Sequence, residues 1–164
     1  MPGESTRVRK FVFLVVLLMA YPVLAIAGPS PARLAAMDSL WVAYTLLYRG
    51  NPQGLAHVEE SLHIDPNLAL ANIIRAEFAM KHQDWTTAQQ YLRRGIELIG
   101  QPDQIFSPDD TIPVNVNVIE ANARVSLGYT LMALATQASE EGDLEIAMRH
   151  LNVARLHLLA SLEL

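Results

Sequence analysis

Three two-residue breaks, Gly50-Asn51, Gln83-Asp84 and Gly142-Asp143, separate stretches whose apolar residues recur at helical spacing. Small side chains keep step with them, except in the first unit, where Leu55 stands in place of the usual Ala and the second helix looks one residue short. Ala43, Ala76 and Ala135 lie seven residues before each break, and Leu55, Ala88 and Ala147 lie five residues after its first residue. Leu62, Gly95 and Ala154 follow seven further on, with Ser61 beside Leu62. Two helices pack closely only where Ala or Gly stands at the crossing, since a larger side chain pushes the axes apart. The first two breaks are 33 residues apart and the last two 59, which is one repeat length plus an insert. A paired helix leaves one face unburied, so pairs of this kind must stack.

The helix limits follow from local chemistry. Ser30 suits an N-cap and Pro31 the first helical position. The first helix carries Leu34, Met37, Leu40, Trp41, Tyr44, Leu47 and Tyr48 at helical spacing and ends at Gly50. Asn51-Pro52 opens the second, with Leu55, Val58 and Leu62 inward. In "SLHIDPNLALA", residues 61–71, Pro66 stops one helix because it lacks an N–H and its ring clashes with the preceding turn. Asp65 is expected to cap the next. Asp84 caps a fourth helix, striped by Trp85, Ala88, Leu92, Ile96 and Ile99. The Pro- and Asp-rich segment 100–117 reads as a loop insert in which Val114, Val116 and Val118 fit a short extended piece. Helices over about 118–140 and 144–162 complete the chain.

The segment "LHIDPNLALANIIRAEFAMKHQDWTTAQQYLRRGIEL", 62–98, with Ala76, Gln83-Asp84, Ala88 and Gly95, resembles the tetratricopeptide repeat family. Residues 36–66 fit the same pattern, and "GDLEIAMRHLNVA" fits its second helix. The resemblance implies an all-α fold, about three antiparallel helix pairs stacked as a short solenoid over 28–164. It also implies that the first helix of each pair lines a concave, partner-binding groove. Carried onto this chain, that groove holds Leu40, Tyr44, Leu47, Ile73, Glu77, Met80, Lys81, Tyr129 and Met132. Tyr and Met suit adaptable contact surfaces.

The N-terminus reads differently. Arg7, Arg9 and Lys10 precede "FVFLVVLLMAYPVLAIA", 17 residues without a charge, ending in an Ala25-Ile26-Ala27 exit. That is the pattern of a secretory signal peptide over 1–27, cleaved after Ala27. An uncleaved anchor is the alternative, because about 17 apolar residues is the short end of what spans a bilayer. Either way the remainder faces the outside, periplasmic or extracellular, since the positive flank stays in the cytoplasm.

Composition excludes several functions. With no Cys, a thiol nucleophile, a Cys zinc site and a disulfide framework are absent. The formal charge of -5, or -7 without residues 1–27, opposes nucleic-acid binding. His57 and Glu60 share a helix face, but there is no HExxH, and His150 and His157 are two turns apart, too far for one ion. Glu59-Glu60, Asp109-Asp110 and Glu140-Glu141 read as solvated surface. Asp103, Asp109 and Asp110 lack calcium-loop spacing. No catalytic residue, metal site or cofactor is expected. The reading is a non-enzymatic scaffold that binds a peptide, a helix or a subunit of a bacterial envelope assembly; an anchored subunit of a membrane complex is the alternative. The apolar ending "LHLLASLEL" adds a docking edge, a dimer contact or a membrane contact.

Overall fold

The computed structural model describes residues 28–101, 104–107 and 114–164. The expected leader, 1–27, lies outside the described residues. Within them the chain is all-helical: α1 Pro31–Tyr48, α2 Gly54–Ile64, α3 Ala69–Lys81, α4 Trp85–Ile99, α5 Val116–Glu140 and α6 Leu144–Ala160. Helices α1/α2, α3/α4 and α5/α6 form the pairs, and each pair packs on the next. None of these helices is long and apolar enough to cross a membrane.

The three breaks share one backbone solution. Gly50, Gln83 and Gly142 adopt φ of 72°, 60° and 85°. The next amide, of Asn51, Asp84 or Asp143, then donates to the carbonyl five residues back, at 2.9, 2.9 and 2.8 Å. This left-handed turn satisfies carbonyls that the helix end leaves free and folds the chain back on itself. Asp84 and Asp143 immediately cap the following helix, accepting from the amides of Thr87 and Ile146 at 3.2 and 3.0 Å. The first pair differs. Asn51 accepts from the Gln53 amide at 3.0 Å, and α2 starts only at Gly54.

That difference moves the crossing residues. Gly54 and Ser61, both buried, stand against α1, whereas Leu55 and Leu62 are only partly buried. The small residues therefore begin four residues after Gly50, not five, and the seven-residue interval is kept. A Cβ on Gly54 would lie 2.5 Å from Leu47 Cδ2 and 2.9 Å from the Ala43 carbonyl oxygen. Ala43, Ala76, Ala88 and Ala154 are almost wholly buried, as the crossing argument requires.

Asp65 also does something other than cap α3. Its Oδ1 accepts from the Asn67 amide at 2.9 Å, two residues before the helix, and its Oδ2 accepts from Arg33 Nε at 2.7 Å. The first amide of α3, Ala69, donates to Oε1 of Gln104 at 2.8 Å, so a loop side chain far along the sequence caps the helix. The insert is thereby tied into the fold. Ile105 packs on the core of α1, α2 and α3, and Phe106 on the core shared by α3 to α6. Asn115 caps α5 by accepting from the amides of Asn117 and Val118, so Val116 is helical and the alternating valines form no strand. Fully buried Met37, Leu40, Leu68, Leu92, Leu98, Leu127 and Leu131 fill these cores. Each such side chain contributes about 1.5–3 kcal/mol against exposure.

Candidate functional site

Because each pair turns back at the same point, α1, α3 and α5 fall on one side of the stack. Two hollows open between them. The first, about 440 Å³, lies between α1 and α3 and is lined by Tyr44, Leu47, Tyr48, Pro52, Ile74, Glu77, Phe78, Lys81 and His82. The second, about 420 Å³, is bounded by Leu40, Trp41, Tyr44, Leu70, Ile73, Ile74 and Glu77, with Ile119, Asn122, Ala123 and Ser126 across from them on α5. Tyr44, Ile74 and Glu77 form the wall shared by both, so the hollows are halves of one groove.

Six of the nine residues expected in the groove border it: Leu40, Tyr44, Leu47, Ile73, Glu77 and Lys81. They divide by depth. Leu40 and Ile73 are buried floor, and Tyr44 and Lys81 stand at the surface. Three lie elsewhere. Met80 packs into the core of α3, α4 and α5. Tyr129 is exposed but borders neither hollow, and Met132 lines a separate hollow against α6. The reason is the length of α5. Aligned on Ala76 and Ala135, α5 begins about three turns earlier than α3. Those extra turns, carrying Ile119, Asn122 and Ser126, face the groove in place of the Tyr129–Met132 segment. Trp41, Tyr48 and His82 also border it and were not expected there. Tyr48 is one turn beyond Tyr44 on the same helix face, a signal present in the sequence.

The groove is apolar, with aromatic edges and one isolated acid. Glu77 makes no hydrogen bond or ion pair among the described residues. Although its side chain reaches solvent, the surrounding apolar walls push its pKa up by desolvation. The Trp41–Tyr44 pair meets edge to face, with centroids 5.4 Å apart, which holds both rings at the groove edge. The indole N–H of Trp41 is buried without an acceptor among the described residues. The arrangement supplies apolar contact area, a carboxylate ready for a cationic or N–H donor, and no nucleophile paired with a base.

His57 and Glu60 pair with each other, Nδ1 to Oε2 at 3.2 Å. Ser39 also donates to Glu60, and these hydrogen bonds, Ser39 first, lower its pKa. Among the described residues no group of three or more His, Asp or Glu side chains is placed to hold a metal.

No known family profile matches the chain, and no curated protein does. Its fold nevertheless matches a solved structure, the N-terminal domain of stress-induced protein-1 (STI-1) from C. elegans. The TM-score is 0.52 at 11% identity, covering 78% of this chain and 87% of that one. The fold is a tetratricopeptide-type stack of helix pairs. The likeness at this identity extends to the architecture alone.

Proposed function

We propose that this protein is a non-enzymatic interaction module that holds a segment of another protein in the α1–α3–α5 groove. The observation that carries the reading is the shared wall of Tyr44, Ile74 and Glu77, which joins two apolar hollows of about 440 and 420 Å³ into one trough, a shape suited to a peptide segment. Apolar and aromatic side chains of the partner fill the hollows, and a Lys, Arg or backbone N–H pairs with the Glu77 carboxylate, which has no such partner among the described residues. The basic start, apolar stretch and Ala-x-Ala exit of residues 7–27 support export, and hence a partner in the periplasm or outside the cell, such as a subunit of an envelope assembly. N-terminal sequencing separates export from anchoring: a chain starting at Gly28 was cleaved, and one retaining 1–27 is a membrane-anchored clamp.

A photo-crosslinking residue at Tyr48, introduced in the producing cell, tests the groove. A discrete adduct is expected, weakened by Glu77→Lys and absent when the same probe replaces Gln90 on the outer face of α4. Equal labelling from both positions, or none from Tyr48, would overturn the assignment.

A further inference from the structure

The two hollows share a single carboxylate. Among the described residues that line them, Glu77 is the sole acid and Lys81 the sole Lys or Arg. Glu77 borders both hollows, whereas Lys81 borders the first alone. A Glu four residues before a Lys on one helix is well placed for an ion pair. These two form none, and neither side chain has a hydrogen-bond partner among the described residues. Helix α3 therefore carries a free anion where the hollows meet and a free cation one turn further along.

Repeat register brings aromatic rings to the same levels. Tyr44 of α1 and Glu77 of α3 are 33 residues apart, as are Tyr48 and Lys81, so each couple occupies equivalent places in successive pairs. Equivalent places on stacked pairs form one rung of the stack. Tyr44 is 52% exposed and, like Glu77, borders both hollows. A ring beside a carboxylate attracts a cation twice, through the ring quadrupole and through the full charge. A guanidinium suits the couple better than an ammonium, because its plane stacks on a ring while its fork meets a carboxylate. Across the second hollow, Ile119, Asn122, Ala123 and Ser126 of α5 bring no charge.

We infer that the occupant of the groove is a peptide segment of a partner that places one arginine at the Tyr44–Glu77 rung, with apolar side chains before and after it. The inference rests on the reading of this groove as a protein-binding trough and adds the residue that the trough selects. One apolar side chain enters the hollow beside Ile73 and Ile119, and the other enters the hollow beside Leu47 and Phe78. Lys81, one turn from Glu77, repels a second basic residue, so a polybasic segment is disfavoured. A backbone N–H is a weaker guest at this rung, since it brings no charge for the carboxylate or the ring.

Random peptides displayed on phage, panned on the immobilised protein as isolated from the producing cells, test this. Enriched peptides should share one arginine between apolar or aromatic residues. A synthetic copy of such a peptide should bind Glu77→Gln about tenfold or more weakly by calorimetry. It should bind Glu97→Gln unchanged, since Glu97 is an exposed acid of α4 outside the groove. Panning on Glu77→Arg, checked for helical circular dichroism, should replace the arginine by Asp or Glu, an exchange that a purely structural role of Glu77 does not produce. Peptides without a basic residue whose binding Tyr48→Ala weakens would overturn the arginine and leave the protein-binding reading standing. No enrichment, or peptides indifferent to both Tyr48→Ala and Glu77→Gln, would overturn both.

Discussion

Arg33 Nε donates to Asp65 Oδ2 at 2.7 Å, linking the first turn of α1 to the junction between α2 and α3. Both side chains are about nine-tenths buried, at 10% and 12% exposure. A pair this deep is costly to break from one side, because the remaining charge is kept from water without its counter-ion. Asp65→Ala is expected to destabilise the fold by about 3 kcal/mol in urea unfolding. The Arg33→Met, Asp65→Ala double variant should be less destabilised than the sum of the single changes.

Gln83 holds φ of 60°, the conformation that glycine supplies at Gly50 and Gly142. A side chain there costs about 1–2 kcal/mol, partly offset by the greater freedom of glycine in the unfolded chain. Gln83→Gly should therefore stabilise by about 0.5–1 kcal/mol, and Gly142→Ala should destabilise by about 1 kcal/mol. Paired thermal unfolding curves check both signs. Lower stability for Gln83→Gly would contradict the strain.

Three helical glycines rank by what a methyl group would strike. At Gly54 the obstacle includes the Ala43 carbonyl oxygen at 2.9 Å, which is backbone and cannot yield. At Gly95 the near atom is Ile73 Cγ1 at 2.7 Å, with the Ala69 oxygen at 3.3 Å. At Gly128 only the end of Leu158 intervenes, at 2.8 Å. Alanine gains about 1 kcal/mol in helix propensity at each. Overpacking of about 1–3 kcal/mol outweighs that gain at Gly54. The expected order of urea midpoints is Gly128→Ala above Gly95→Ala above Gly54→Ala.

Two groups set opposite pH responses. Desolvation raises the Glu77 pKa above its ordinary 4.5, so the folded chain holds that proton more tightly than the unfolded one. Its contribution is present below 4.5 and is lost as pH rises through the raised folded value. His157 is half-buried; desolvation, then the charges of Arg124 and Arg93, lower its pKa below 6.5. Its contribution is full above 6.5 and is lost as pH falls toward the lowered folded value. Stability measured against pH should lose the first slope in Glu77→Gln and the second in His157→Gln. An unchanged profile in either variant would remove the assigned cause.

Local chemistry made the helices and turns legible. Pro66 had to interrupt, Asp84 and Asp143 had to cap, and alanines at matching distances had to lie between paired rods, because each statement concerns atoms within a few residues. Leu55, standing where the repeat has Ala, and a second helix one residue short signalled an irregularity in the first pair; that Gly54 and Ser61 take the crossing instead was visible only in the packing. Whether the crossing falls four or five residues after the turn is decided by how α2 seats on α1. The cap of α3 was equally invisible: Gln104 reaches Ala69 only after the insert has docked through Ile105 and Phe106.

The groove shows the same division. Sequence placed Tyr44, Glu77 and Lys81 on the first helices of their pairs, because a repeat fixes which face a residue occupies. It did not show that α5 meets the groove with Ile119, Asn122 and Ser126, because the sliding of one long helix along another depends on packing summed over the whole contact. Periodicity, breaks and small residues by themselves determined that this chain is a stack of helix pairs. Tertiary structure alone decided which stretch of α5 faces the groove, since helix register is set by neighbours distant in sequence.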